Sequence, residues 1–234
     1  MILKSYADST IALHAMTNEL KQMILKKTPG ESFHLALSGG NTAKQMFNLW
    51  TKEYANEIDW NKLRFYWVDE RCVPPTDEEI HYLHANQLLF TPLNIEPTHI
   101  FRIRGENPPL EESVYYSNLV KKELSKQKDI PHFDAIILGI GTDAHTASIF
   151  PNNLALLNDD KLYTVSKHPI SEQYRVTMTG TFILNHTPLF IPVFGSDKKD
   201  MINKLKRTLF EEDMTPAGYI LAKAENATIF TDIT

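Results

Sequence analysis

Cysteine is nearly missing: Cys72 is the only one in 234 residues. One cysteine excludes an intramolecular disulfide and any CxxC zinc site. No stretch approaches about 18 uninterrupted apolar residues, so no segment reads as a membrane span. Met1 to Asp8 lacks the basic-then-apolar pattern of a secretory signal, and the expected location is cytoplasmic. Without such a signal, the sequons Asn185-His186-Thr187 and Asn226-Ala227-Thr228 read as chance matches. Positive charge is not in excess either. The net charge of -5 argues against nonspecific nucleic-acid binding. A GxSxG elbow is absent, so a serine hydrolase would lack its usual scaffold. The spaced Gly-Lys-Ser/Thr of a Walker loop is absent too. No internal repeat, low-complexity tract or linker divides the chain, which reads as a single domain over 1–234.

What is present is an alternation of strand and helix. Apolar runs predict strands at Phe33–Leu37, Leu63–Val68, Phe133–Leu138, Leu189–Phe194 and Ala227–Thr231, with weaker ones at Ile2–Tyr6, Ile100–Ile103, Lys161–Ser166 and Tyr174–Thr179. Helical spacing begins at Ser9, with Ser9 or Thr10 as N-cap, and ends at Thr28-Pro29-Gly30. Further helices are expected over Ala43–Tyr54, Glu79–Phe90, Leu110–Gln127 and Asp197–Phe210. Val73-Pro74-Pro75-Thr76 reads as an irregular loop. The expected fold class is α/β: an open, mostly parallel, Rossmann-like sheet with helices on both faces.

Three polar segments follow strong strands, and a parallel sheet delivers all three to one edge. Ser38-Gly39-Gly40-Asn41-Thr42 precedes a helix. Its free amides suit an anion such as phosphate, or it is merely a tight turn that Thr42 caps. Asp69-Glu70-Arg71 reads as a charged loop in which Arg71 offers a planar donor fork to an oxyanion. Gly139-Ile140-Gly141-Thr142-Asp143-Ala144 formally matches a dinucleotide fingerprint, but Pro151 leaves no room for the helix that motif needs. The same loop places Asp143 two residues before His145. Imidazole titrates near pH ~6.5, so His145 can act as a base, with Asp143 to orient its ring. His14, His34, His84, His99, His132, His168 and His186 read as structural. His81 and His84 share a helix face, but nothing completes a metal site. Cys72 reads as a small filler. Arg175 and Lys198 each put a cation near a sheet edge or helix start.

These segments, together with Arg175-Val176-Thr177 and Gly195-Ser196-Asp197-Lys198, resemble the ordered motifs of 6-phosphogluconolactonases. The resemblance runs from about Phe33 to Asp232. Its most specific part is His145-Thr146-Ala147-Ser148-Ile149-Phe150-Pro151. It implies a cofactor-free, metal-free esterase of the pentose phosphate pathway that opens 6-phospho-D-glucono-1,5-lactone to 6-phosphogluconate. Its partner is then a small sugar-phosphate lactone, with no nucleic acid and no membrane, in a monomer or small homo-oligomer. The related glucosamine-6-phosphate deaminases typically carry Asp-Glu-Tyr where this chain has Asp69-Glu70-Arg71, which favours the lactonase. A third reading is a sugar-phosphate-binding protein with a disabled loop.

The resemblance assigns His145 as general base and Asp143 as its support. Ser38, Gly39, Gly40, Asn41 and Thr42, with Asp69, Arg71, Arg175 and Lys198, become the substrate and phosphate site. Two departures stand out. Ala144 replaces the family's usual Gly, which strains the loop by about 1 kcal/mol if φ is positive there. Ile80-His81-Tyr82 replaces a Ser-Asn-Tyr-like segment.

Overall fold

The computed structural model describes residues 1–127, 129–208 and 215–233. Strands and helices are numbered along the chain. The central sheet is parallel throughout, in the order β1 (Ile2–Ser5), β11 (Ala227–Thr231), β10 (Leu189–Val193), β7 (Ala135–Ile137), β2 (Phe33–Leu37) and β3 (Leu63–Trp67). A smaller antiparallel sheet has the order β4 (Asp69–Arg71), β9 (Tyr174–Met178), β8 (Tyr163–Lys167). β5 (Lys126–Gln127) and β6 (Ile130–Pro131) form a short hairpin.

The continuous apolar runs became the central strands because both faces of the sheet are covered. Every residue of β7 and of β10 is buried. Pro192 is tolerated in β10 because β7 pairs only with Leu189 and Phe190.

α1 (Ser9–Leu25) packs on β10 and β11. Its N-cap is Asp8, which accepts from the Ile11 amide at 2.8 Å; Ser9 and Thr10 lie inside the helix. α2 (Asn41–Glu53) follows β2. α4 (Pro109–Glu123) packs on β8 and β9. It ends short of Gln127, which belongs to β5. α5 (Gly180–Ile183) and α7 (Pro216–Lys223) complete the helices after β9, with α6 (Lys199–Thr208) between them. The helix expected over Asp197–Phe210 begins with a 3₁₀ turn at Ser196–Lys198, and its last two residues lie outside the described residues.

Three other expectations change. The segment Ile100–Ile103 makes only a single parallel bridge, Phe65 to Ile100. The span Glu79–Phe90 is α3 (His81–Ala85) followed by a π-helical turn at Asn86–Phe90. Asp69-Glu70-Arg71 is a strand, because each residue pairs with one of Thr177, Val176 and Arg175 in β9. Val68 carries the chain from one sheet to the other. Its N–H donates to Leu37 O at 2.9 Å and its C=O accepts from Met178 N at 2.8 Å.

Strand order reverses between β2 and β7, so a crevice opens at their carboxyl ends, where ligands of open α/β sheets bind. The Ser38 hydroxyl ties the two strand ends together by accepting from the Gly139 amide at 3.1 Å.

Tyr116, fully buried on α4, fixes the end of β3: its hydroxyl accepts from Trp67 N at 3.0 Å and donates to Phe101 O at 2.7 Å. Tyr116→Phe leaves that amide buried and unpaired. It is expected to lower the unfolding free energy by about 1–3 kcal/mol in urea denaturation; an unchanged midpoint would show that the bond is dispensable.

Candidate active site

The crevice is a cleft of about 240 Å³. Ser38, Gly39, Gly40, Asn41 and Thr42 line it from β2 and the start of α2, and Asp69 and Arg71 from β4. His145 enters from the loop after β7, Arg175 from β9 and Lys198 from the turn before α6. Asp143 stands beside His145 rather than in the lining.

The loop that carries His145 is a tight hairpin. Ile140 and Thr146 pair antiparallel, and Gly141 N donates to His145 O at 2.9 Å. Ala144 N donates back to Gly141 O at 3.0 Å. A turn of this form ends in a left-handed residue, the place that usually falls to glycine. Here it is Ala144, at φ 62°. The kink turns Asp143 back toward its neighbour. Asp143 Oδ1 lies 2.5 Å from His145 Nδ1 and also accepts from the His145 amide at 3.2 Å. Facing a carboxylate, Nδ1 carries the proton, so Nε2 holds the free lone pair. The imidazole occupies the side-chain space of Gly141, where a Cβ would come within 2.2 Å of His145 Cε1. The loop is also pinned from outside. Ala217 N of α7 donates to Ala144 O at 3.0 Å, and Thr146 Oγ1 donates to Gly139 O at 2.9 Å.

α2 starts with no side-chain cap: Gly40 is its N-cap and no acid stands in its first turn. Its first amides are therefore left for a ligand in the cleft, and the positive end of the helix dipole adds to them. Thr42 is inside the helix, so the capping role expected of it is not there.

Arg71 and Arg175 are directly paired across β4 and β9. Like charges in that relation repel unless an anion lies between them. Arg175 is buried, and burial together with Arg71 draws its guanidinium below the usual range. Among the described residues, the buried Nε atoms of both arginines have no hydrogen-bond partner. One Nη of Arg71 donates to Glu79 O. Lys198 Nζ donates to Ile140 O at 2.9 Å, and burial holds its ammonium below the usual range. This concentration of cationic donors fits an anionic ligand.

Asp69 is buried and accepts from Ser148 Oγ at 2.6 Å. Burial pushes its carboxyl up, but His81, Ser148, Arg71 and Arg175 outweigh it and hold the group below its usual range. His81 is buried beside it, with Nδ1 3.2 Å from Asp69 O. Burial holds His81 well below the usual imidazole range, against the pull of Asp69. With His81 uncharged, Ser148 and the arginines are what keep Asp69 ionised. Glu70, on the opposite face of β4, accepts from the amides of Arg71, His81 and Tyr82 and so anchors α3. Burial still pushes its carboxyl up to about 7. Burial likewise pushes the Cys72 thiol up to about 11, in keeping with a filler.

Sequence reasoning missed His81, Ser148, Phe150 and His168, all of which line the cleft. His81 packs so closely on the phosphate-type turn that a Cβ on Gly39 would lie 2.0 Å from its ring. The adjacency of Gly39-Gly40 hinted at a close approach, but not at what approaches. Among the described residues, no cluster of three or more His, Cys, Asp or Glu is placed to hold a metal, and no helix is long and apolar enough to cross a membrane.

Residues 7–230 match the family described as glucosamine-6-phosphate isomerases/6-phosphogluconolactonase. A 6-phosphogluconolactonase of Treponema pallidum is 42% identical over 172 residues, covering 74% of this chain and 71% of the relative. A 6-phosphogluconolactonase of Haemophilus influenzae is 36% identical, covering 94% of this chain and 93% of the relative. Among solved structures, the crystal structure of the devB protein superposes with a TM-score of 0.88 at 32% identity, covering 98% of this chain and 95% of that one.

The left-handed Ala144 and the uncharged His81 each make a prediction. Ala144→Gly removes the Cβ strain and is expected to raise the unfolding free energy by about 1 kcal/mol; a loss of stability would show that the loop is not strained. For His81, whose folded pKa is depressed, the unfolded chain takes up a proton below its ordinary value of 6.5 that the folded chain refuses. The unfolding free energy therefore falls on acidification, by up to ~1.4 kcal/mol per pH unit from this group. Urea denaturation at about pH 7.5 and about pH 5.5 should show a larger loss in the wild type than in His81→Asn. Equal losses would mean that His81 is charged in the fold.

Proposed function

The chain belongs to the 6-phosphogluconolactonase family, within the glucosamine-6-phosphate isomerase/6-phosphogluconolactonase superfamily, and on that footing we propose that it opens 6-phospho-D-glucono-1,5-lactone to 6-phosphogluconate with a water molecule activated by His145. The chain is an enzyme, a lactone hydrolase. The observation that carries the mechanism is the 2.5 Å contact between Asp143 Oδ1 and His145 Nδ1, because it leaves Nε2 as the basic atom at the cleft.

His145 Nε2 takes a proton from water as the oxygen adds to C1 of the lactone. The C1 carbonyl becomes an oxyanion. Collapse of that intermediate breaks the bond from C1 to the ring oxygen, and the proton on Nε2 passes to the departing oxygen. Asp143 holds the ring in one tautomer and stabilises the imidazolium formed midway. The amides at the start of α2, with Arg175 and Lys198, hold the phosphate. Arg71 sits next to Arg175, and it serves the oxyanion together with backbone amides. Asp69, kept ionised, accepts from a sugar hydroxyl. A δ-lactone is labile, so no covalent nucleophile is needed.

The test is a coupled assay in which glucose-6-phosphate dehydrogenase makes the lactone and its opening is followed above the spontaneous rate. His145→Ala is expected to cut kcat by about 10²–10⁴. Turnover near that of the wild type would remove His145 from the mechanism.

A further inference from the structure

We propose that His168 is a second catalytic residue: an uncharged donor whose Nε2–H binds an oxygen at the lactone end of the substrate. The proposal rests on the hydrolase reading above. His168 opens the β8–β9 hairpin, which is closed by His168 N to Gln173 O at 2.9 Å and by Glu172 N to His168 O at 3.0 Å. Its Nδ1 is turned into the hairpin, where it accepts from Ile170 N at 3.3 Å and Ser171 N at 3.1 Å. A ring nitrogen that accepts two amides carries no proton, so the proton of the neutral ring is on Nε2. Among the described residues Nε2 has no partner. The ring lines the cleft.

Phe150 places this donor relative to the base. The His168 ring meets Phe150 edge-on, with centroids 5.0 Å apart at 80°. The His145 ring meets the same phenyl at 5.0 Å and 48°. The two imidazoles thus share one aromatic wall. One offers a lone pair at Nε2 and the other an N–H at Nε2. A lactone being attacked at C1 needs both, a base for the water and donors for the oxygens around the reacting carbon. Burial, Arg175 and His145 all hold the His168 ring below its usual range, in keeping with a neutral donor.

Two substitutions separate the donor from the hairpin brace. In His168→Asn the side-chain oxygen stands where Nδ1 stood and still accepts the hairpin amides, but nothing reaches the place of Nε2. In His168→Gln the terminal amide N–H stands where Nε2–H stood, and the brace is lost. In the coupled assay, His168→Asn is expected to lower kcat/KM by about tenfold or more while melting near the wild type. His168→Gln is expected to stay within about threefold of the wild type, even if it melts lower. The proposal is overturned if His168→Asn keeps wild-type kcat/KM, or if His168→Gln falls as far as His168→Asn. A wild-type protein that opens no lactone above the spontaneous rate would overturn the hydrolase reading, and this proposal with it.

Discussion

One left-handed residue shapes the proposed reactive centre. Residues two apart in an extended strand share a face but do not turn toward each other. Ala144, at φ 62°, folds the chain back so that the Asp143 carboxylate meets both the amide and the ring of His145. The surroundings hold it there. Gly141 yields its side-chain space to the imidazole, and α7 donates an amide to the Ala144 carbonyl. The conformation that glycine adopts freely is thus imposed on alanine by hydrogen bonds at both its amide and its carbonyl. A loop strained at about the 1 kcal/mol level and held by its neighbours is a common way to fix catalytic geometry.

The rest of the cleft follows from the sheet. The reversal of strand order between β2 and β7 opens the crevice, and Ser38 joins its two lips. Into it the fold gathers an uncapped helix start, two directly paired arginines and a lysine. Around these cations, burial holds His81 and His168 below the usual imidazole range. His81 is buried under the Gly39 turn, and His168 has its Nδ1 occupied by amides. Neutral imidazoles add hydrogen bonding without adding to the repulsion that a bound anion must already offset.

Much of this was legible in the sequence, for identifiable reasons. The central strands announced themselves as apolar runs because burial on both faces leaves no alternation to hide them. The cleft was legible because three polar segments each followed such a run. What failed was whatever a distant partner decides. Asp69-Glu70-Arg71 looks like a solvated loop until β9 pairs with it and three amides absorb the Glu70 carboxylate. His81 looks like a surface histidine until α3 is anchored by Glu70 and turned onto Gly39. His168 reads as a structural histidine until the hairpin sets it against Phe150 in the cleft. α7 went unread for a local reason: its Pro216 and Gly218 look like breakers. Yet Thr215 caps it and proline suits the first helical turn.

The central claim is that Asp143 acts through His145, and a double-mutant cycle on kcat tests it most directly. If the pair works as one unit, Asp143→Ala lowers kcat in the wild-type background and has almost no further effect once His145 is alanine. If the two losses simply add, the carboxylate acts on the substrate by itself, and the account of the loop is wrong.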